Sequence, residues 1–420
     1  MAACQIPHSL RTSFSQPSSG QINNRPSKPR VLKVTCSHAP LPGRKLRAAV
    51  IGGGPAGASA AEALAAGGIE TFLFERNPSA AKPCGGAIPL CMLDEFSIPP
   101  HLIDRRVTKM KIISPSNLAV DFGSKSLRPN EHIPMLRREV LDSFLRSRAQ
   151  SSGAQLITAL VTHLEVPSSP SSPYIIYHTV NNSRKTLAVD VVIGADGANS
   201  KVAKSINAGE LHLRHSVSGE NPITRRENGI LPKSRGDDIK LYQRGIRERA
   251  KDKIDGGRVI KVEAHPIPEH PRAIRVRGRV ALVGDAAGYV TKCSGEGIYF
   301  AAKSGRMCGE AVVRASDGGD RMIGEDDLKR EYLREWDRKY VSTFRFLDLL
   351  QRVFYRNNAS REALVELCSD EYVQRMTFDS YLYKRLADGD RWEDLKMAFN
   401  TVGSLMRCEI LGRKMQALKL

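Results

Sequence analysis

The stretch that most constrains the fold runs from Lys45 to Arg76 and reads KLRAAVIGGGPAGASAAEALAAGGIETFLFER. A short apolar run, Ala48 to Ile51, predicts a buried parallel strand, because it is too compact for a helix. Three glycines follow it with the spacing G-x-G-x-x-G, namely Gly52, Gly54 and Gly57. An alanine-rich segment then predicts a helix to about Ala66, ended by Gly67-Gly68. A second apolar strand over 69–74 completes a βαβ unit.

Each residue type in this unit suits a dinucleotide. The first glycine makes the tight turn, the second lets the backbone approach a pyrophosphate, and the third lets helix and strand pack closely. The pyrophosphate would lie at the positive N-terminal end of the helix. Glu75, with Arg76 beside it, ends the second strand and would accept hydrogen bonds from an adenosine ribose. A carboxylate there favours FAD or NAD over NADP in this first site.

The net charge of +19 is concentrated in part at the N-terminus. Residues 1–47 carry eight Lys or Arg and no acid, and the first acid is Glu62. Residues 1–46 are rich in Ser and Pro and lack the apolar h-region of a secretory signal, so they have the composition of an organelle transit peptide; a disordered tail is the alternative. A chloroplast transit peptide is favoured over a mitochondrial one, because the segment forms no Arg-rich amphipathic helix. The sequence contains no uninterrupted run of about 18 apolar residues, so no membrane-spanning helix is expected. No basic stripe interleaved with aromatics occurs, so nucleic acid is not an expected partner.

Two further segments could reach a cofactor bound to this unit. The eight cysteines include no C-x-x-C pair, so neither a zinc site nor a disulfide scaffold is expected. One of them, Cys84, lies in the loop KPCGGAIP after the second strand, where it could sit beside a flavin or simply be a buried thiol in a tight turn. The period of MLRREVLDSFLRSR predicts a helix over 135–148. Near its start, Arg137 and Arg138 could face phosphate or flavin, or form a solvated basic face.

Two later strand ends repeat the architecture of the first. VDVVIGADGANS carries Asp196 and Gly197, and RVALVGDAAG carries Asp285 and Gly288, each after an apolar strand. In an open α/β sheet, ligands bind at the carboxyl ends of the strands, so the three turns should face one crevice. Asp285 is placed to hold a ribityl or ribose hydroxyl, and Asp196-Gly197 to turn the chain against the cofactor.

Together these motifs resemble the FAD-binding pattern of the aromatic-hydroxylase-like flavoproteins. Four further stretches, KPCGGAIP, VEAHPIPEHP, YVTKCSGEGIYF and MTFDSYLYK, are similar to those of the plant and cyanobacterial geranylgeranyl diphosphate reductase family. The resemblance covers about 47–208 and 237–420. It implies an FAD site formed by Gly52, Gly54, Gly57, Glu75, Arg76, Arg138, Asp196, Gly197, Asp285 and Gly288. It also implies that Gly295 and Gly297 flank the isoalloxazine, with Cys84 and Lys292 as catalytic candidates near the reacting alkene.

The resemblance further implies an activity. The expected reaction is the NADPH-dependent reduction of geranylgeranyl diphosphate, or of geranylgeranyl-chlorophyll, to the phytyl form used for chlorophyll and tocopherol synthesis in the chloroplast. One amphipathic stretch of the C-terminal region could serve a membrane surface or a membrane-bound partner, which makes peripheral association with the thylakoid membrane through a membrane protein a further expectation. The alternatives are a non-catalytic or impaired FAD-binding variant and, less favoured, a flavin monooxygenase. Hydroxylases of that type usually carry histidine after G-D-A-A, where this chain has Gly288.

The sequence departs from the family between its two matching parts. Residues 207–238 contain no aromatic side chain and many Gly, Ser, Asn and Pro, so they are expected to be irregular and to replace most of a substrate-binding sheet. The expected fold is α/β: a Rossmann-like FAD-binding domain of the GR2 type over 47–206 and 239–320, with a shortened α+β substrate domain. A helical C-terminal region is expected over 321–420, with helices over 326–350, 360–371 and 392–420 and with Trp336 and Trp392 as packing anchors.

Overall fold

A computed structural model gives the architecture of the chain. It describes residues 41, 43–80, 82–211, 213–220, 226–231, 244, 247, 248, 251–257, 261–384, 401, 403–405 and 408. The predicted transit peptide over 1–46 lies outside the described residues except for its last few positions. Trp392 and all but a few positions of the predicted helix over 392–420 also lie outside them.

The described part of the chain alternates strands and helices. The strands are β1 (Arg47–Ile51), β2 (Glu70–Glu75), β3 (Arg105–Val107), β4 (Met110–Ile113), β5 (Ala119–Phe122), β6 (Ile133–Met135), β7 (Gln155–Thr158), β8 (Leu160–Glu165), β9 (Tyr174–Val180), β10 (Ser183–Val189), β11 (Val191–Gly194), β12 (Leu213–Glu220), β13 (Arg226–Leu231), β14 (Lys261–Pro268), β15 (Val276–Arg277) and β16 (Val280–Leu282). The helices are α1 (Pro55–Ala66), α2 (Cys91–Glu95), α3 (Arg138–Ser151), α4 (Lys201–Ser205), α5 (Lys251–Ile254), α6 (Gly284–Ala287), α7 (Ile298–Ala315), α8 (Glu325–Leu328), α9 (Arg334–Phe354), α10 (Asn358–Leu367) and α11 (Glu371–Tyr383).

A six-stranded sheet forms the centre of the fold, in the order β15-β16-β11-β1-β2-β7. Every pairing in it is parallel except that of the edge strand β15. The register places Ile51 opposite both Phe74 and Gly194, and Gly194 opposite Leu282. The carboxyl ends of β1, β11 and β16 therefore lie side by side, and the predicted α/β architecture with one shared crevice edge is confirmed.

Small residues let two helices pack closely against each other on this sheet. Helix α1 is rich in alanine, and Gly305 and Gly309 of α7 face it. A Cβ at Gly305 would lie 1.9 Å from the Ala56 carbonyl oxygen, and one at Gly309 would lie 2.7 Å from that of Ala60. Because larger side chains would separate the helices, this composition holds α1, and the glycine turn before it, in a fixed position against the sheet.

Residues 207–238 differ from the prediction. Strands β12 and β13 form there and join β14 in a three-stranded antiparallel sheet of order β13-β12-β14. The β12–β14 register runs from Leu213 opposite Pro268 to Glu220 opposite Lys261. The prediction that this segment cannot form strands is therefore wrong. Strand propensity depends strongly on context: β12 pairs along the whole of β14, and β13 pairs with β12, which outweighs the poor composition of both strands.

The C-terminal region is helical, as expected, with shifted boundaries. The helix predicted over 326–350 is one continuous helical rod. It consists of α8, a π-helical turn at Lys329–Leu333, and α9. The helix predicted over 360–371 is α10, and α11 is an additional helix. Trp336 is buried and stacks on Tyr289 with ring centroids 4.2 Å apart, so its predicted packing role is confirmed. No helix in the described part of the chain is long and apolar enough to cross a membrane.

Candidate functional site

The glycine turn after β1 has the close contacts that its spacing predicts. Gly52 adopts φ +106°, and a Cβ there would lie 2.4 Å from the Ala195 carbonyl oxygen. A Cβ at Gly57 would lie 1.7 Å from the Gly52 carbonyl oxygen. At Gly54, the N-cap of α1, the nearest atom to a Cβ is Arg138 Nη2 at 3.8 Å. The first and third glycines therefore serve packing, while the second leaves room above the helix N-terminus.

Glu75 ties the end of β2 to this turn. Its Oε2 accepts a hydrogen bond from the Gly53 amide at 2.8 Å, and its Oε1 accepts one from the Asn77 amide at 2.9 Å. Arg146 supports the same turn by donating to the Gly53 carbonyl oxygen at 3.0 Å. Each carboxylate oxygen keeps a free lone pair for a ribose hydroxyl. Arg76, in contrast, is exposed at the strand end.

Arg138 provides buried positive charge beside the N-terminus of α1. Its side chain is only 7% exposed and makes two hydrogen bonds of 2.8 Å to Asp142, one turn further along α3. Burial alone would lower the pKa of Arg138, but Asp142 raises it, so the guanidinium stays charged. A helix N-terminus and a fixed guanidinium together form an anion site suited to a diphosphate. Arg137 instead points outward to Asp104.

Asp285 is the second charged centre of the crevice. Its carboxylate lies 2.5 Å from Lys82 Nζ, and its Oδ1 lies 3.5 Å from the position of a Cβ at Gly297. Burial alone would raise the pKa of Asp285, but its ion pair with Lys82 and the charge of Arg138 lower the pKa below its usual value. The contact with Gly297 brings the loop over 291–297 to the same end of the sheet as Asp285.

The turn after β11 contributes an unsatisfied carboxylate oxygen. Asp196 Oδ2 accepts hydrogen bonds from the amides of Lys201 and Val202, at 2.6 and 3.2 Å. Its Oδ1 is buried and has no hydrogen-bond partner in the structure. Burial raises the pKa of this group. Gly197 adopts φ +81°, and nothing lies within 4 Å of a Cβ there. This turn therefore has an acceptor and open space for a ligand.

These features fit an extended dinucleotide such as FAD. A diphosphate fits between the α1 N-terminus and Arg138, and ribose or ribityl hydroxyls fit at Glu75 and Asp285. The unpartnered oxygen of Asp196 and the open positions at Gly54 and Gly197 are what a site for a polar, elongated ligand requires. Among the described residues, no group of three or more His, Cys, Asp or Glu could hold a metal ion.

The remaining predicted site residues have contacts that differ from one residue to the next. Cys84 is half-buried, and its sulfur accepts a hydrogen bond from the Gly86 amide at 3.4 Å. Lys292 is ion-paired at 3.0 Å with Asp348 of α9. A Cβ at Gly288 would lie 2.3 Å from the His270 carbonyl oxygen, so packing alone requires glycine there. Gly295 adopts φ +69° in the same loop as Lys292. The cofactor and catalytic roles of these four residues stay predictions.

Sequence analysis missed several residues that complete the site. One of them is Asp142, which could have been found from its spacing of four residues from the predicted Arg138 near a helix start. No local signal pointed to Lys82 or His265, because their contacts join segments far apart in the chain. His265 lies on β14, where burial and the charge of Lys82 lower its pKa to about 4. It is therefore neutral near pH 7.

Comparison with known proteins identifies the family. The chain is 52% identical over 439 aligned positions to the chloroplastic geranylgeranyl diphosphate reductase of Nicotiana tabacum, covering 95% of this chain and 92% of the relative. The chain belongs to the geranylgeranyl diphosphate reductase family. No family model matches the sequence. The aligned 95% of this chain's 420 residues is about 40 residues fewer than the 439 aligned positions. At about 40 positions of the alignment, the tobacco protein therefore has a residue and this chain has a gap.

Solved structures agree with a flavoprotein fold for this member of the family. One is a geranylgeranyl bacteriochlorophyll reductase-like protein from Thermoplasma acidophilum, with a TM-score of 0.58 and 18% identity over 86% of this chain and 98% of that chain. Another is CmlS, a flavin-dependent halogenase, with a TM-score of 0.60 and 17% identity over 88% of this chain and 70% of that one. The likeness shows that this chain has the same fold as these two proteins.

Proposed function

We propose that this chain reduces the isoprenoid chain of geranylgeranyl diphosphate, or of geranylgeranyl-chlorophyll, towards the phytyl form, with FAD as cofactor and NADPH as reductant. The observation that carries the proposal is the 52% identity with the tobacco reductase across 95% of this chain. The FAD-suited crevice supports it from the structural side. The names of the plant relatives favour the chloroplast as the site of action, with phytyl groups serving chlorophyll and tocopherol synthesis.

In this proposal the crevice residues hold FAD in an extended form. Arg138 and the α1 N-terminus take the diphosphate, Glu75 takes the adenosine ribose, and Asp285 takes the ribityl chain. When bound, a reduced flavin supplies hydride, which is the chemistry that an unactivated alkene requires and that side chains lack. The protein binds the cofactor and the prenyl chain, orients them and excludes water.

The loop over 82–89 is proposed to line the place where the alkene lies. Lys82 fixes this loop to Asp285, and Cys84 follows two residues later. Lys292, held by Asp348, keeps the loop over 291–297 against α9. In this arrangement Cys84 shapes the alkene pocket or donates a proton to it, and Lys292 acts mainly by holding its loop. If Cys84→Ser reduces the prenyl substrate as fast as the parent chain, Cys84 has no role in the reaction.

Peripheral association with the thylakoid membrane, through a membrane protein, is part of the same proposal. A prenyl substrate is largely apolar and partitions into membranes, so a reductase that collects it gains from being held at the membrane surface. Sedimentation of the chain with isolated thylakoids, before and after protease treatment of the membranes, tests this association. Binding that survives the protease treatment would contradict a protein partner.

The chief alternative is a flavoprotein that binds FAD and no longer reduces a prenyl chain. The gaps of about 40 residues against the tobacco relative favour it, because the missing residues could belong to the substrate-covering part. The test is anaerobic: the flavin-loaded full chain is reduced with NADPH, and geranylgeranyl diphosphate is then added. Recovery of the oxidised flavin spectrum supports the reductase, whereas a spectrum that stays reduced supports the alternative. NADPH oxidation that requires an aromatic compound and oxygen would instead indicate a monooxygenase.

A further inference from the structure

The small antiparallel sheet β13-β12-β14 is joined to the crevice by two connecting segments that leave it side by side. Leu213, the first residue of β12, lies opposite Pro268, the last residue of β14. The β12 connector precedes Leu213 and contains Gly209, and the β14 connector, residues 269–272, follows Pro268 and ends at Arg272. Because both connectors start at the same end of the sheet, whatever holds them also holds the sheet.

The β14 connector packs directly on the short helix α6. The Arg272 amide donates to the Ala287 carbonyl oxygen at 2.9 Å. A Cβ at Gly288, the residue after α6, would lie 2.3 Å from the His270 carbonyl oxygen. This close approach leaves no room for a side chain at Gly288. The connector therefore rests against the same short helix that carries Asp285.

The Arg272 side chain joins three segments of the chain. Nε donates to the Ala286 carbonyl oxygen in α6 at 2.8 Å, and Nη2 donates to the Ala198 carbonyl oxygen, in the turn after β11, at 3.4 Å. Nη1 donates to the carbonyl oxygen of Gly209 in the β12 connector. Arg272 is only 7% exposed, and a guanidinium directs its donors in a rigid fork. One side chain thus fixes the relative positions of two crevice turns and the small sheet.

The partners of Arg272 indicate what its buried charge does. In the described part of the chain, the hydrogen bonds of its side chain all go to main-chain carbonyl oxygens and none goes to a carboxylate. Burial lowers the pKa of Arg272, and the charge of Asp196 opposes this shift. The guanidinium remains protonated, because its ordinary pKa lies above about 12. Its donors therefore serve to hold backbone segments together and not to form an ion pair.

We propose that Arg272 couples the cofactor crevice to the small sheet, so that FAD bound at Asp196 and Asp285 also stabilises β12 and β14. This inference rests on the proposed function, which supplies FAD and the prenyl substrate, and takes the small sheet as the shortened substrate domain. Coupling between two ligands is reciprocal, so a prenyl ligand bound at the sheet tightens FAD binding by the same factor. Arg272 acts through the turns that contain Ala198 and Ala286, and it is therefore a positioning residue.

Amide hydrogen exchange of the full chain, with and without saturating FAD, tests the coupling without any substrate. In the parent chain, FAD should slow exchange both in the glycine turn over 52–57 and in β12. In Arg272→Met, FAD should still slow exchange in the glycine turn, while its effect on β12 should fall by about fivefold or more, the lower range of coupling between sites. Equal protection of β12 in the parent chain and the variant would overturn the proposal, as would a parent chain whose β12 does not respond to FAD.

Arg279→Met is the matched control for the loss of a buried arginine. Arg279 is 4% exposed and donates to the Ser172 carbonyl oxygen, but it precedes β16 and so lies at the opposite end of that strand from Asp285. Its variant should be less stable, while FAD protects β12 as in the parent chain. Equal loss of β12 protection in Arg279→Met would show general destabilisation and overturn the proposal. Should Arg272→Met fail to fold, Arg272→Lys takes its place, since it keeps the buried charge and lacks the rigid fork.

A titration with the prenyl substrate measures the reciprocal effect. The FAD affinity of the parent chain should rise by about fivefold or more when geranylgeranyl diphosphate is present, and Arg272→Met should lack this rise. A rise of equal size in both chains would overturn the proposal. If the chain binds FAD and leaves the prenyl substrate unreduced in the presence of NADPH, the proposed function fails, whereas hydrogen exchange in β12 still decides whether Arg272 couples the two regions.

Discussion

Lys82 and Asp285, which are 203 residues apart in the sequence, form an ion pair of 2.5 Å at the mouth of the crevice. The pair joins the loop that carries Cys84 to the turn after β16. Both ends belong to stretches that define the family resemblance. The pair therefore couples the position of the proposed alkene pocket to the carboxylate expected to hold the cofactor.

Asp285→Asn should weaken FAD binding by about 10- to 100-fold. Hydrogen bonds to charged groups contribute about 1.5–3 kcal/mol, and each 1.4 kcal/mol is tenfold in affinity. Fluorescence titration of the flavin-free chain with FAD measures the change. Asp320→Asn, which removes the exposed partner of Lys45, is the control and should leave the affinity unchanged. Unchanged affinity in Asp285→Asn would remove this residue from the cofactor site.

Two glycine variants should lose different properties: one should lose stability, and the other should lose FAD affinity. In Gly57→Ala the new Cβ overlaps the Gly52 carbonyl oxygen, so we expect a loss of stability at or above about 3 kcal/mol. In Gly54→Ala the nearest atom is 3.8 Å away, so the fold should stay as stable as the parent while FAD affinity falls because the methyl group occupies space above the helix N-terminus. Urea unfolding and FAD titration of both variants check this. Normal FAD binding by Gly54→Ala would contradict the placement of the diphosphate.

The ion pair between Glu131 and Arg375 should make stability depend on acid pH. Arg375 donates to both oxygens of Glu131, at 2.6 and 3.0 Å, and this bonding lowers the pKa of Glu131 to about 2. A lowered pKa in the folded chain means that the stabilisation is complete above about pH 4.5 and is lost as the pH falls towards 2. At pH 7 the free energy of unfolding of Glu131→Gln should therefore be about 3 kcal/mol lower than that of the parent chain, and this difference should shrink below pH 4.5. A difference independent of pH would show that the carboxylate charge is not what stabilises α11.

Trp336→Ala should destabilise the chain by about 3–5 kcal/mol, the usual cost of truncating a buried aromatic side chain. Trp336 is 1% exposed and stacks on Tyr289, which directly follows the turn containing Asp285 and Gly288. Trp336→Phe keeps part of the stacking and should lose clearly less. Chemical denaturation of the two variants distinguishes them, and equal losses would mean that an aromatic ring at this position adds nothing to stability.

Much of the fold and part of the site could be predicted from the sequence. Gly52, Gly54 and Gly57 form a local pattern whose spacing alone dictates a turn, and the parallel sheet follows from three similar strand ends. The strands β12 and β13 were missed because their stability comes from pairing and not from their own composition: β12 pairs with β14, some 40 residues away, and β13 pairs with β12. Lys82 and His265 were missed for a similar reason, since a lysine or a histidine becomes a site residue only through a partner that the fold brings to it.

The most direct test of the central claim is the mass of the prenyl product. The FAD-loaded full chain is incubated with NADPH and geranylgeranyl diphosphate under anaerobic conditions, and the prenyl chain is analysed by mass spectrometry. We predict a product heavier by two hydrogens for every double bond reduced, formed only with NADPH present. An unchanged prenyl chain, on protein that remains yellow and binds FAD, would show that the flavin site is intact and that the chain is not a reductase.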